Sequence, residues 1–312
     1  MKPDVIAATP LYQPVMDGLE AAYTVHRLFE ARDRAAFLAG VKDKAQALAC
    51  FGGAIDAALM SALPKLKIIA CMSVGVDHVD LAAAKARGIR VTNAPDVLTD
   101  DVADIAIALL IGVARQIPQA DRYVREGKWL AKSSMPLASK LGGATMGVLG
   151  LGRIGLAIAK RAEALGVKIV YHGPRSKPGV AYRYYADLAT MARDVDYLMV
   201  ACPGGPATRH LVNDKVIAAL GKKGALINIA RGSVIDEPAM VKALVEGQLR
   251  GAGLDVFADE PRVPADLLKL DNVVLLPHIG SATHATRRAM GQLMLDNLAA
   301  FFAGKELLTP VV

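Results

Sequence analysis

The sequence predicts an α/β protein of two domains, each built on a parallel sheet that helices cover. Three observations support this. A chain of 312 residues suits about two domains of ordinary size. Short apolar segments with strand character alternate with helical segments along both halves of the chain, the pattern typical of parallel sheets. A glycine-rich turn lies near the middle, at residues 150–155, so that almost half of the chain precedes it.

Composition excludes several classes of protein. Apolar residues make up 53% of the chain and charged residues 21%, which suits a globular protein with a large core. No run approaches the roughly 18 uninterrupted apolar residues of a membrane span, and the first residues resemble a strand rather than a signal peptide. The net charge of +7 suits anionic ligands, but basic clusters interleaved with aromatics are lacking. We therefore expect no nucleic-acid or membrane partner.

The three cysteines, Cys50, Cys71 and Cys202, lie far apart in the sequence, each within an apolar run. They lack the spacing of a metal site, so we expect buried free thiols in a reducing cytoplasm and no bound metal.

The first domain is predicted from the alternation before residue 98. Strands are expected at 5–8, 24–28, 47–51, 68–72 and 90–92, with helices such as 54–63 and 81–87 between them. An almost wholly apolar helix, 99–114, follows and should be buried at an interface.

The second domain resumes the alternation. Six parallel strands are expected at 147–149, 168–171, 197–201, 225–229, 251–254 and 273–276. A final helix, 285–302, has no further strand to feed, so we expect it to pack back on the first domain. The predicted boundaries are therefore 1–98 plus 286–312 for one domain and 99–285 for the other.

The glycine-rich turn predicts a dinucleotide site. Gly150, Gly152 and Gly155 fit G-x-G-x-x-G between a strand and a helix. The first glycine permits a tight turn, the second lets a pyrophosphate approach the backbone, and the third lets helix and strand pack closely. The helix N-terminus would then face the phosphates with its N–H groups.

The residues after the second strand of this domain predict which dinucleotide binds. An Asp or Glu that would bond the ribose 2′-hydroxyl of NAD is missing near Gly173. Arg175, Ser176 and Lys177 follow instead, and their donors suit the 2′-phosphate of NADP. We expect NADP(H) rather than NAD; an exposed basic turn would explain the two cations but not the missing acid.

Chemistry is predicted at the ends of three other strands. Arg231, Glu260 and His278 each follow a strand, and open parallel sheets place their sites at this edge. This set suits reduction of a 2-oxo acid. His278 would protonate the carbonyl oxygen, Glu260 would hold the imidazole in its protonated form, and Arg231 would grip the substrate carboxylate and carbonyl oxygen.

Each of these residues also has a plain structural interpretation: a packed histidine, a surface ion pair and a turn glutamate. Their coincidence beside a cofactor turn favours the catalytic one. The turn at Ser73, Val74 and Gly75 ends a strand of the first domain, and its amides could grip a carboxylate; a simple strand-to-helix turn is the alternative.

Taken together, these segments resemble the D-isomer-specific 2-hydroxyacid dehydrogenase family over nearly the whole chain, most closely its NADPH-dependent glyoxylate/hydroxypyruvate reductases. The segments that carry the resemblance, in the family's order, are 73–80, 93–99, the glycine turn, 230–232, 253–261 and 277–283. The resemblance implies one flavodoxin-like and one Rossmann-like parallel-sheet domain with a cleft between them, and a homodimer formed through the cofactor domain.

The resemblance also assigns roles to residues. It implies catalysis by Arg231, Glu260 and His278. It implies substrate contacts by Val74, Gly75, Arg231, His278, Ser281 and, more weakly, by Trp129 in the dimer arm. The cofactor contacts it implies are Thr99, Gly150, Gly152, Arg153, Ile154, Gly155, Gly173, Arg175, Ser176, Lys177, Cys202, Pro203, Thr208, Ile229, Ala230, Arg231, Asp255, His278 and Gly280.

Two other functions stay open. A formate-oxidising enzyme on the same scaffold would pair the histidine with glutamine, so Glu260 argues against it. A nucleotide-sensing regulator of the same superfamily would keep the glycine turn without rapid turnover, but the chain has no additional binding segments. The preferred 2-oxo acid depends on loops whose shape the sequence does not reveal.

Overall fold

The computed structural model describes residues 2–132 and 134–312, and the chain divides into two compact units. One unit contains the chain up to Leu98 together with Ala282–Val312, and the other is Thr99–Ser281. The boundary before the last helix lies after Ser281, where the sequence predicted it after residue 285. The difference arises because Thr283 caps the last helix, accepting a hydrogen bond from the amide of Thr286, so the cap lies in the same unit as its helix.

The first unit contains a sheet of five parallel strands in the order β2-β1-β3-β4-β5. The strands are β1 Asp4–Ala7, β2 Thr24–Arg27, β3 Ala47–Cys50, β4 Ile68–Cys71 and β5 Arg90–Thr92. The helices between them are α1 Gln13–Ala22, α2 Arg34–Val41, α3 Ala57–Ser61 and α4 Leu81–Ala86. All residues of β3 and β4 are buried, as expected of central strands covered on both faces.

The second unit contains seven parallel strands in the order β12-β11-β10-β9-β6-β7-β8. The strands are β6 Thr145–Leu149, β7 Lys168–His172, β8 Arg183–Tyr185, β9 Tyr197–Val200, β10 Ala225–Asn228, β11 Gly251–Leu254 and β12 Val273–Leu275. The helices are α5 Thr99–Arg115, α6 Ile117–Arg125, α7 Lys128–Lys132, α8 Arg153–Ala164, α9 Leu188–Arg193, α10 Asp214–Leu220 and α11 Glu237–Val245.

The prediction of six strands in this unit was wrong, because β8 is a seventh. It has only three residues and lies at the sheet edge, where Tyr185 alone is buried. A short edge strand with one buried residue carries almost no apolar alternation, which is the signal that sequence patterns depend on.

Several predicted elements run too far. The strands expected to end at residues 8, 28, 51, 72, 201, 229 and 276 each end one residue earlier. The helix expected at 54–63 is only Ala57–Ser61, since Asp56 caps it by accepting a hydrogen bond from the amide of Leu59. Element boundaries depend on such caps and turns rather than on periodicity.

The last helix, α12 His284–Phe302, packs against α1 and β4 within the first unit. The two helices approach closely where Gly291 faces Val15: a Cβ on Gly291 would lie 2.0 Å from Cγ2 of that valine. The C-terminal residues then run along β5, where the amide of Val311 donates to the carbonyl of Val91. Among the described residues, no helix combines the length and apolar character that a membrane span requires.

The close contact of α12 with α1 gives a test of this packing. Gly291→Ala should lower the free energy of unfolding by about 1–3 kcal/mol, because the added methyl overpacks the contact with Val15. Gly40→Ala is the matched control: that glycine is exposed in α2, and an added Cβ meets nothing within 4 Å. It should stabilise the protein by about 0.5 kcal/mol, since alanine is the better helix former. Urea denaturation of both variants measures the difference, and equal effects would contradict the proposed packing.

Candidate active site

The glycine turn lies between β6 and α8, and each glycine has a separate physical reason. Gly150 has φ 95°, and a Cβ there would lie 2.6 Å from the backbone of Cys202. A Cβ on Gly155 would lie 2.2 Å from the carbonyl oxygen of Gly150. At Gly152, the N-cap of α8, a Cβ would meet nothing within 4 Å, so the backbone is open on that side. An open glycine at an uncapped helix start fits the pyrophosphate of a dinucleotide.

The basic turn lies beside this glycine turn, because β6 and β7 pair with Leu149 opposite His172. The amide of Gly150 donates to the carbonyl of His172 at 2.9 Å, which joins the two strand ends. The amide of Lys177 donates to the hydroxyl of Tyr171 at 2.9 Å, which orders the turn while Arg175, Ser176 and Lys177 stay exposed. The three donors are thus presented to solvent next to the helix start.

His278 and Glu260 form the central pair of the site. Nδ1 of His278 lies 2.7 Å from Oε2 of Glu260, and the side chains are 47% and 34% exposed. The other carboxylate oxygen accepts a hydrogen bond from the amide of Phe257 at 3.0 Å. Burial alone would raise the pKa of Glu260, but the hydrogen bonds from His278 and Phe257 and the nearby charges of His278 and Arg231 outweigh it and lower that pKa. The pair therefore holds an ionised carboxylate on Nδ1 and leaves Nε2 for a reactant.

A second carboxylate, Asp255, holds the backbone that follows His278. Its side chain is only 2% exposed, and its two oxygens accept the amides of Ile279 at 2.7 Å and Gly280 at 2.8 Å. Burial raises the pKa of Asp255 in spite of these two bonds. His278 has φ 54°, a conformation that costs a residue with a side chain about 1–3 kcal/mol. The bonds to the next two amides hold the chain in that conformation.

Arg231 lies on the loop after β10. Nη1 of Arg231 donates to the carbonyl of Ala230 at 2.7 Å. The side chain of Asn228 makes two hydrogen bonds to this loop, both at 3.0 Å: its amide group donates to the carbonyl of Arg231, and its oxygen accepts from the amide of Ala230. The charge of Arg231 contributes to the lowered pKa of Glu260, so the guanidinium lies near the pair of His278 and Glu260. The next residue, Gly232, packs directly on the loop after β11, where a Cβ would lie 1.9 Å from the carbonyl carbon of Phe257.

The structure therefore brings together Arg231, Asp255, Glu260 and His278 at the carboxyl ends of β10, β11 and β12. Other residues of the predicted cofactor set also follow strand ends of the same sheet. Cys202 is buried against Gly150, and Thr208 donates to the carbonyl of Pro203 at 2.7 Å. Trp129 instead lies on α7, which packs against α6, and is 62% exposed.

In the first unit, the predicted carboxylate-binding turn follows β4. Its carbonyl oxygens are bonded: Asn93 donates to Val74 at 2.9 Å, and the hydroxyl of Ser73 donates to Gly75 at 2.8 Å. These bonds fix the orientation of the peptide planes in the turn. Within the same unit, Arg287 stacks on the ring of Phe51 at 4.3 Å, and its Nη1 is buried without a hydrogen-bond partner in the described part of the chain. Burial lowers the pKa of this guanidinium.

Sequence reasoning missed three polar residues of these regions: Asn228, Glu237 and Arg287. Asn228 and Glu237 are almost fully buried, and Glu237 accepts the amide of Ala258 at 3.0 Å, which supports the loop before Glu260. A polar residue that ends an apolar strand, such as Asn228, was the one available signal. Glu237 and Arg287 lie at ordinary helix positions and gave none.

Known proteins resemble this chain over the region that contains these residues. A model of the D-isomer specific 2-hydroxyacid dehydrogenase, NAD binding domain, matches residues 107–280, which include the glycine turn and the strand ends described above. Glyoxylate/hydroxypyruvate reductase A HPR2 of Arabidopsis thaliana is 48% identical over 309 residues, which cover 99% of this chain and 98% of that protein. Hydroxyphenylpyruvate reductase of Plectranthus scutellarioides is 54% identical over 257 residues, 82% of each chain.

Solved structures show the same family resemblance. The NADPH-dependent glyoxylate/hydroxypyruvate reductase SmGhrB from Sinorhizobium meliloti, in complex with NADP and malonate, superposes with a TM-score of 0.95 at 46% identity, covering 100% of this chain and 97% of that one. The family resemblance and the fold class of two parallel-sheet α/β domains are confirmed.

The lowered pKa of Glu260 predicts how stability depends on pH. A carboxylate whose pKa falls below its usual 4.5 in the folded state stabilises that state above the usual pKa, and this contribution is lost as the pH falls through the lowered pKa. Wild type should therefore exceed Glu260→Gln in stability at about pH 6, and the difference should shrink below about pH 4.5. Urea denaturation at both pH values measures this. A difference that does not change with pH would contradict the ionised pair.

Proposed function

The chain belongs to the D-isomer specific 2-hydroxyacid dehydrogenase family, and from that premise we propose that it reduces small 2-oxo acids, such as glyoxylate and hydroxypyruvate, to D-2-hydroxy acids with NADPH. The observation that carries the proposal is the 2.7 Å pair of His278 and Glu260 beside Arg231, at the carboxyl edge of a sheet with a dinucleotide-type glycine turn. The NADPH-dependent relative in complex with NADP supports the choice of cofactor.

Reduction of a ketone needs a proton at the carbonyl oxygen, and His278 is the proposed donor. Because Nδ1 is bonded to Glu260, Nε2 is the nitrogen that faces the substrate. The carboxylate stabilises the imidazolium before transfer and keeps the ring orientation as the proton leaves. The half-exposed ring is accessible to a small substrate.

The substrate carboxylate requires a cationic partner, and Arg231 is the proposed one. The guanidinium plane is oriented by its bond to the carbonyl of Ala230. A planar fork of donors can hold a carboxylate and the adjacent carbonyl oxygen together, which lysine could not do. In this proposal the amides of Val74 and Gly75 add donors to the substrate carboxylate, and Ser281 and Trp129 contact the substrate.

The proposed cofactor is NADPH, which when bound supplies the hydride for the carbonyl carbon. Gly152 would let its pyrophosphate approach the start of α8, and Arg175, Ser176 and Lys177 would bond the 2′-phosphate. An acid in this turn would repel that phosphate, and none is present between residues 172 and 177. The charge and hydroxyl pattern of the turn supports NADPH over NADH.

The enzyme acts, in this proposal, as a cytoplasmic homodimer. Four large apolar side chains of α6 and α7 support an interface between copies: Ile117, Val124, Trp129 and Leu130 are between 52% and 96% exposed.

The activity is tested by following NADPH oxidation with glyoxylate, hydroxypyruvate and hydroxyphenylpyruvate. Glyoxylate and hydroxypyruvate should be reduced, and His278→Asn should lower kcat by about 10²–10⁴-fold, because the proton donor is removed. Asparagine is chosen since it tolerates the positive φ of this position. Near-normal turnover of His278→Asn would remove the assigned role. Absence of reduction with every 2-oxo acid would overturn the proposed activity itself.

Cofactor preference is tested separately with Arg175→Ala. Loss of the guanidinium should raise KM for NADPH by about tenfold or more and leave KM for NADH almost unchanged, because only NADPH carries the 2′-phosphate. Arg34→Ala, an exposed arginine of the first unit, removes the same charge elsewhere and should change neither value. Equal effects of Arg175→Ala on both cofactors would contradict the assignment.

A further inference from the structure

A cluster of two cysteines and a histidine lies in the first unit, and none of the three has a role in the proposed reaction. Cys50 ends β3 and Cys71 ends β4, and the parallel register places them directly opposite each other. Their Sγ atoms are 3.6 Å apart, and Cys50 Sγ lies 3.7 Å from Nε2 of His78. The three atoms all lie within 4.8 Å of one another.

The sequence prediction for these cysteines was that they lack metal spacing. The two thiols are 21 residues apart in the chain, far from the short intervals of familiar metal motifs. Spacing along the chain does not reveal that these atoms are close, because sheet pairing brings them together. The prediction of buried free thiols agrees with the structure.

The distances fit a bound cation. A tetrahedral Zn²⁺ with Zn–S of about 2.3 Å and Zn–N of about 2.0–2.1 Å separates its ligand atoms by roughly 3.6–3.8 Å. The separations of 3.6 Å and 3.7 Å in the cluster have this size before any metal is bound. The third separation, between Cys71 Sγ and the imidazole, is at most 4.8 Å, so the His78 side chain would have to close the site, while both cysteines lie on buried strands.

Charge and burial fit as well. Cys50 and Cys71 are 0% and 1% exposed, so two thiolates there would be costly without a cation. Two thiolates neutralise a divalent cation, and neutral imidazole adds no charge. His78 is only partly buried, so solvent reaches the third proposed ligand.

We propose that Cys50, Cys71 and His78 form a binding site for a thiophilic divalent cation, with Zn²⁺ as the expected occupant. Each cation bound converts two thiols to thiolates and releases two protons to solvent, so the charge at the site balances and no oxidant is involved. The proposed metal is structural and takes no part in hydride transfer.

The position of the site suggests what the cation does. Residues 72–77 connect the ligand Cys71 to the ligand His78, and they include the turn at Val74 and Gly75. A metal bound at both ends would restrict this turn. Provided that the proposed function holds, metal loading should change KM for the 2-oxo acid more than kcat, because the turn binds substrate and does not transfer the proton.

The test is a metal titration of the fully reduced, metal-free enzyme. Zn²⁺ binding followed by calorimetry should reach one equivalent per chain. Co²⁺ in place of Zn²⁺ should give the visible bands of tetrahedral cobalt and a thiolate-to-cobalt charge-transfer band. Cys50→Ala, Cys71→Ala and His78→Gln should each weaken binding by more than the roughly 10–100-fold that loss of an outer-sphere partner costs. Cys202→Ala, a buried cysteine of the other unit, should bind as wild type does.

Two results would overturn the proposal. One is uptake of well below one equivalent by the reduced wild-type enzyme. The other is uptake that His78→Gln and both cysteine variants leave unchanged. His78→Gln alters a loop residue, so the test does not depend on variants of the buried strands. None of these measurements uses turnover, so they are independent of the proposed activity.

Discussion

The parallel register of β10, β11 and β12 is the constraint on which the candidate active site depends. Asn228 pairs with Leu254, and Leu254 pairs with Leu275, so three strands end at one level of the sheet. Each chain segment that leaves a strand there must turn over the same edge. Arg231, Asp255 and His278 come from three separate segments of the sequence and meet for this reason alone.

At this edge of the sheet, the strained backbone of His278 is held by a buried carboxylate. His278 is held at φ 54°, and the two amides that follow it are bonded by the buried carboxylate of Asp255. Glu260 then bonds the imidazole from the side, and its own second oxygen is bonded by the amide of Phe257. A buried carboxylate is costly for stability, and burial raises the pKa of Asp255. What it contributes is a fixed direction for the histidine ring, which a proton donor requires.

The first unit repeats the same principle with different residues. Its strands β3 and β4 end with Cys50 opposite Cys71, and the loop after β4 returns His78 to them. Parallel pairing collects side chains at the carboxyl edge in both units. In one unit the collected set is an arginine, two carboxylates and a histidine, which suits chemistry on an anion. In the other it is two thiols and an imidazole, which suits a soft cation.

Several features could be predicted from the residues alone: two parallel sheets, the glycine turn, the basic turn at 175–177, and the three strand ends that carry Arg231, Glu260 and His278. These depend on apolar alternation and on residue types that are needed locally, such as Gly150 at φ 95°. Only the tertiary structure revealed β8, the support of the loop by Glu237, the bonds from Asp255 to two amides, and the meeting of Cys50 with Cys71. Each of these features arises from contacts between segments that are distant in the chain. A local pattern of residues does not show which strand lies beside which, so it could not predict them.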